Sequence, residues 1–302
     1  MSKVPYIIRA IVIILLLVIA FLLWWFNRPQ PVVDVIEEET TESVVEQATT
    51  TPPNKVIGTS VEGREIEAYT FGTGANHLLF VGGVHGGYEW NSVVLAETFI
   101  NQLLSGAIQV PPEMKISVIP NLNPDGVYKV LGMTDGFSAA EALAIAPTAV
   151  AEGRFNANNV DLNRNFDCKW ESESTWRGAT VSAGSGPFSE PEAVALRDFV
   201  MTEDPTAVIF WHSQASNVYA SECHDGVLPE TLALMSTYAS AADYGAVESF
   251  DAYPITGDAE GWLASIGIPA ITVELETRDS IEWERNLAGI EATVELYQNL
   301  AR

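Results

Sequence analysis

The chain has 302 residues, enough for a membrane or targeting segment and one catalytic domain of ordinary size. It carries 40 acidic residues against 15 Lys and Arg, a net charge of −25 at pH 7. Setting aside the six acids of residues 30–54 and the three bases of the first 28 residues leaves 34 acids against 12 bases in 55–302. That excess argues against nucleic acid and anionic lipid surfaces as partners, and plain solubility or a salty habitat accounts for it.

From Ala10 to Phe26 the sequence AIVIILLLVIAFLLWWF is unbroken apolar, and from Val4 onward Arg9 is its only charge. About 20 residues at ~1.5 Å each cross a bilayer core, so residues 1–29 read as a short tip followed by a transmembrane helix. The run ends in Trp24-Trp25-Phe26, bulky residues that suit a membrane interface and not a small-residue cleavage site, so an uncleaved signal anchor is expected. Lys3, Arg9 and the N-terminal amine stand before the span and Arg28 after it. The positive-inside rule then puts the N-terminus in the cytoplasm and the rest of the chain outside it. Residues 30–54 hold Asp34, Glu37, Glu38, Glu39, Glu42 and Glu46 with no base and no aromatic, the composition of a solvated, disordered tether.

The remainder, 55–302, shows no internal repeat and alternates strand-like with helix-like runs. HLLFVGGV (77–84), KISVIP (115–120), TAVIFW (206–211) and IPAITVEL (268–275) read as buried strands. Residues 92–104, 229–242 and 282–301 read as helices, and SEPEAVALRDFVM (189–201) starts one with a capping-box pattern at Ser189 and Glu192. The expected fold is α/β, a three-layer α/β/α sandwich on a mixed, mainly parallel sheet, whose ligands gather at the carboxyl ends of the strands. Cys168 and Cys223 form no CxxC motif; in an exported domain the pair is compatible with one disulfide.

Of four histidines, His85 follows the strand 77–84 and His212 directly follows 206–211, while Glu89 stands where the next helix begins. Two imidazoles and a carboxylate with an open fourth position form a known catalytic zinc set. A single strand-end histidine is more often a packed or capping one, so the set gains weight only from its context.

That context is an ordered series of motifs: GTSVEGREIEAYTFGTG, VGGVHGGYEW, PNLNPDGVY, NNVDLNRNFD, GPFSEPEA, WHSQ, YPITGDAEGW and ITVELET. Taken together they resemble the zinc metallocarboxypeptidase family, the carboxypeptidase A-like enzymes, across residues 57–300. The resemblance implies one zinc ion per chain, with His85, Glu89 and His212 as its ligands. It implies Glu274 as general base, Arg154 as the cation that polarises the scissile carbonyl, and Asn163 with Arg164 as the clamp on the substrate's terminal carboxylate. Tyr253 matches the tyrosine that closes over bound substrate. Asp258 and Glu260 fall where the family's pocket floor lies, and an acidic floor favours a basic terminal side chain or the amine of diaminopimelate.

The residue types suit that chemistry: a metal-activated water, a carboxylate to move its proton, and guanidinium groups for an oxyanion and a carboxylate. One departure stands out. The family places two residues between its first histidine and glutamate, and this chain has three, a change that Gly86-Gly87 can absorb. The expected function is a membrane-tethered zinc carboxypeptidase acting on peptides. The alternatives are a cell-wall stem-peptide peptidase or amidase of the same fold, and a peptide-binding relative without competent metal. The sequence leaves the oligomeric state open.

Overall fold

The computed structural model describes residues 6–28, 53–145, 147–250 and 253–300. The expected tether falls almost wholly outside them. Residues 1–49 and 50–302 form two separate units. In the first, Tyr6–Phe26 is a continuous helix of 21 residues, α1. Its side chains are described at Ile13 and from Leu16 onward, and among the described residues no helix is long and apolar enough to cross a membrane.

The second unit runs β1 (Asn54–Thr59), β2 (Glu65–Gly72), β3 (Asn76–Val81), α2 (Trp90–Leu104), β4 (Met114–Ile119) and α3 (Pro124–Leu131). The short helices α4 (Ala139–Leu143) and α5 (Pro147–Glu152) lead to a hairpin, β5 (Glu173–Trp176) and β6 (Ala179–Ser182). Then come α6 (Pro191–Glu203), β7 (Ala207–Ser213), β8 (Asn217–Ala220), a two-residue pair β9 (Glu222–Cys223) and β10 (Gly226–Val227), and α7 (Pro229–Ala242). The chain finishes with β11 (Gly245–Val247), α8 (Ala259–Ser265), β12 (Ala270–Leu275) and α9 (Trp283–Leu300).

Eight strands make one sheet in the order β1-β2-β4-β3-β7-β12-β8-β11. Its centre, β4-β3-β7-β12, is parallel, and the pairings at β1-β2, β2-β4 and β12-β8 are antiparallel. The mixed, mainly parallel sheet is therefore the expected one. All seven residues of β7 are buried, as a strand covered on both faces requires. Alternate residues feed two cores: Leu78, Phe80 and Trp211 pack with Phe99, Leu234 and Tyr238 of α2 and α7, while Leu79, Val81 and Phe210 pack with Leu196, Phe199 and Trp262 of α6 and α8.

Local chemistry sets the boundaries. Asn123 caps α3 by accepting from Gly126 N, with Pro124 in the first turn and a left-handed Gly132 at its end. The capping box expected at Ser189 and Glu192 does not form. Helix α6 starts at Pro191 behind Glu190, with no side-chain cap. Ser189 Oγ instead donates to Glu190 Oε1, and Glu192, fully buried, accepts from Asn156 Nδ2 and Val61 N. Tertiary partners for these carboxylates outweigh the local cap. Cys168 and Cys223 are bonded, fastening the segment after Arg164 to β9.

Candidate active site

β7 and β12 are parallel neighbours with His212 opposite Glu274, so both side chains leave the same face at the carboxyl ends of their strands. His85 reaches the same place through the loop after β3. The extra residue between His85 and Glu89 is taken up in a 3-10 turn, Gly86–Glu89. Gly86 has φ +46, and a Cβ there would stand 2.7 Å from Gly153 O; at Gly87 one would meet Val130 at 2.8 Å. Two side-chain-free residues let the turn tighten against α3, and Glu89 arrives beside His85.

The result is a buried cluster. His85 Nδ1 lies 3.0 Å from Glu89 Oε1, His212 Nδ1 lies 2.9 Å from Glu89 Oε2, and the two Nδ1 atoms are 3.1 Å apart. All three residues are at most 5% exposed. Two imidazole nitrogens and a carboxylate aimed at one point have few ways to satisfy each other. A tetrahedral cation with bonds of about 2.0–2.1 Å holds its ligands roughly 3.3 Å apart, close to what is seen, so the donor set fits zinc. Burial disfavours charge on these groups, yet the facing charges keep Glu89 ionised and raise His212.

Each imidazole has a carboxylate behind it. His85 Nε2 faces Asp161 Oδ1 at 3.4 Å and His212 Nε2 faces Glu260 Oε1 at 3.4 Å. These are ion-pair contacts and not formed hydrogen bonds, and both Nε2 atoms are otherwise buried without a partner among the described residues. Carboxylates in such positions orient metal-bound histidines. Asp161 also holds Arg154 through Nε and Nη2, both at 2.8 Å, and Arg154 Nη1 comes within 3.9 Å of Glu89. Burial works against the Asp161 charge, but Arg154 and His85 keep its carboxyl well below the usual range.

Glu274 has a buried oxygen, Oε2, with no partner among the described residues. Burial, then the neighbouring Glu89 charge, pushes its carboxyl up to about 7. Arg164 is 2% exposed and does not pair with Asp161 or Asp167; Nε donates to Ser174 Oγ and Nη1 to Asn163 O. Asn163 is fixed by accepting from Ala259 N through Oδ1. Tyr253 stands at the cavity mouth, 36% exposed, with its ring 4.7 Å from that of Phe250. These residues line one cavity of about 710 Å³.

The acidic floor is corrected in part. Asp258 and Glu260 do line the cavity, but neither carboxylate is free for a substrate cation. Asp258 caps α8 by accepting from Gly261 N, and burial, with Glu260 nearby, pushes it up to about 6. Glu260 is occupied by Thr272 Oγ1 at 3.0 Å and by His212. Sequence reasoning missed the positioning role of Asp161, though it stands inside the DLNRN motif, and missed Arg278, four residues after Glu274 on the cavity wall.

A buried His-Glu-His set, a carboxyl oxygen with no partner among the described residues and two guanidinium groups lining the same cavity are the parts of a metal-dependent hydrolase of α/β architecture. Residues 41–282 match the zinc carboxypeptidase family, and the chain belongs to it. It is 25% identical over 238 residues to gamma-D-glutamyl-L-diamino acid endopeptidase 1 of Lysinibacillus sphaericus, covering 72% of this chain and 59% of that protein. It is 30% identical over 139 residues to murein peptide amidase A of Escherichia coli (strain K12), covering 43% of this chain and 54% of that one. Both matches span less than two thirds of the relative's own length. In fold, the chain is similar to bovine thrombin-activatable fibrinolysis inhibitor in complex with tick carboxypeptidase inhibitor, with TM-score 0.66 and 20% identity over 83% of this chain and 92% of that one.

Proposed function

We propose that the chain is a zinc-dependent peptidase that cuts the amide bond next to a free terminal carboxylate. One observation carries this reading: Asn163 and Arg164 share a single cavity with His85, Glu89, His212 and Glu274, so a carboxylate fork and a hydrolytic centre face the same substrate. His85, His212 and Glu89 would hold the zinc ion, which when bound would supply Lewis acidity to a carbonyl and lower the pKa of water. Glu274 Oε2 takes the proton of the attacking water and returns it to the leaving amine. Arg154, kept in place by Asp161, sets its charge beside the developing oxyanion. Arg164 receives the terminal carboxylate, and Tyr253 covers the mouth. The reading without competent metal is disfavoured by the convergence of Glu89 on both imidazoles.

Zinc content and chelator-sensitive release of C-terminal residues from a mixed peptide library test this reading. Peptides with a free carboxylate should be cleaved and their C-terminal amides spared; equal cleavage of both would sink the exopeptidase role. A second reading, cell-wall stem peptides as substrate, is favoured by the names of the two relatives, a gamma-D-glutamyl-L-diamino acid endopeptidase and a murein peptide amidase. The same reading, joined to the localisation expected from sequence, has the catalytic unit outside the cytoplasm and the apolar residues 10–26 as its hold on the membrane. It is supported by the uncharged run 10–26 and the exposed apolar side chains from Leu16 to Phe26. Carbonate should fail to extract the full chain from membranes, and protease added to cells with a permeable outer layer should reach residues 55–302.

A further inference from the structure

Basic residues are scarce in this chain, 15 against 40 acids, yet five of them line the active-site cavity: Arg154, Arg164, Lys169, Arg177 and Arg278. Arg154 is neutralised by Asp161, and Arg164 is assigned to the terminal carboxylate. Arg177 is exposed and lies over Trp176. Arg278 is different. It is half-buried, with its guanidinium 4.2 Å from the ring centroid of Tyr88. Its Nη2 makes one long contact, 3.4 Å, to Ser213 O, and its buried Nε has no partner among the described residues. Among the described residues no carboxylate lies within ion-pair distance of it. A desolvated guanidinium edge with spare N–H groups costs stability unless something fills it, and a carboxylate fits that edge with two parallel hydrogen bonds.

Its place in the cavity says which part of a substrate it meets. The surroundings of Arg164 are Asn163, Ser174, Gly257 and Asp258. Those of Arg278 are Tyr88, from the turn between His85 and Glu89, Ser213, next to His212, and the charge of Glu274. The two sets share no residue, and the metal-ligating residues adjoin the second. With the terminal carboxylate on Arg164 and the scissile amide at the metal donors, Arg278 meets the acyl side of that amide.

We propose that Arg278 binds a carboxylate carried by the acyl-side residue of the scissile bond, which selects amides made by the side-chain carboxyl of an acidic residue whose own α-carboxylate is free. A γ-linked glutamyl residue has such a group three carbons from the scissile carbonyl; an ordinary α-linked peptide presents a neutral amide instead. This inference rests on the peptidase reading above and narrows its substrate class.

The test uses the zinc-loaded full chain and two dipeptides, γ-D-glutamyl-L-lysine with its glutamyl α-carboxylate free and the same compound with that group as the carboxamide. The expected result is a kcat/KM ratio of more than about tenfold in favour of the free acid, the worth of a charge-assisted hydrogen bond. In Arg278→Gln that ratio should collapse towards one, with zinc content unchanged. Calorimetric binding of the two ketomethylene analogues to the wild type, which needs neither turnover nor the variant, should show the same preference. A wild-type ratio near one in both cleavage and binding, or a full ratio kept in Arg278→Gln, would overturn the assignment. If the wild type hydrolyses no peptide at all, the peptidase reading falls, and the binding preference alone decides for or against Arg278.

Discussion

Histidines are buried at both ends of the central strands, and the two ends use them in opposite ways. At the amino end of β3, His77 is 2% exposed, with Nδ1 donating to Glu203 O at 3.1 Å and Nε2 2.8 Å from Ser117 Oγ, which in turn lies 2.9 Å from Thr70 Oγ1. Both nitrogens are satisfied by neutral groups, and burial lowers its pKa to about 4. At the carboxyl end, His85 and His212 are as deeply buried, but their Nδ1 atoms converge on each other and on Glu89. Burial of a histidine therefore says little about function. The number of acceptors aimed at one point says a great deal, because only a cation satisfies several at once.

The comparison can be broken most severely by His212→Ala. Loss of one of three ligands should remove bound zinc and all measurable hydrolysis, read by metal analysis and peptide assay; retained zinc would mean that the cluster is not the metal site. Next, Glu274→Gln keeps the shape and removes the proton acceptor. Its kcat should drop roughly 10²–10⁴-fold with zinc content unaltered. Glu260→Ala probes the carboxylate behind His212, and zinc affinity should weaken about 10–100-fold in a competition with a fluorescent chelator. An unchanged affinity would return Glu260 to a purely packing role.

The mildest test is at the other end. His77 has a folded pKa of about 4 against an ordinary value near 6.5, so between those values the unfolded chain binds the extra proton. The stability contributed by neutral His77 is complete above pH 6.5 and is lost as the pH falls from there towards 4. Thermal unfolding of the wild type should show this decline, and His77→Gln should show less of it, with zinc binding at neutral pH untouched.

Much of this was legible in sequence because it depends on local pattern. A fully apolar run such as AVIFW marks a strand covered on both faces, and helix α7 occupies the residues 229–242 read from the sequence. The motif series pointed to His85, Glu89, His212 and Glu274, and the register of β7 against β12 puts the last two side by side. What local pattern misjudged is informative. Ser189 and Glu192 read as a capping box, but Asn156 and Val61 N, from distant parts of the chain, take the Glu192 carboxylate. Asp258 and Glu260 read as free acids on a pocket floor, but a helix N-terminus and a histidine claim them.

The sequence by itself determined the class of fold, the three residues that could hold a metal ion and the apolar character of residues 10–26, since these depend on composition, period and motif order. Only the tertiary structure decided whether Glu89 reaches the metal site across one extra residue, because that turns on how closely Gly86 and Gly87 approach the backbone of Gly153 and the side chain of Val130. It also decided which carboxylates stand behind the imidazoles and left Arg278 with no carboxylate at ion-pair distance among the described residues. A charge's partner is set by distances between segments far apart in the chain, and no local pattern of residues carries that information.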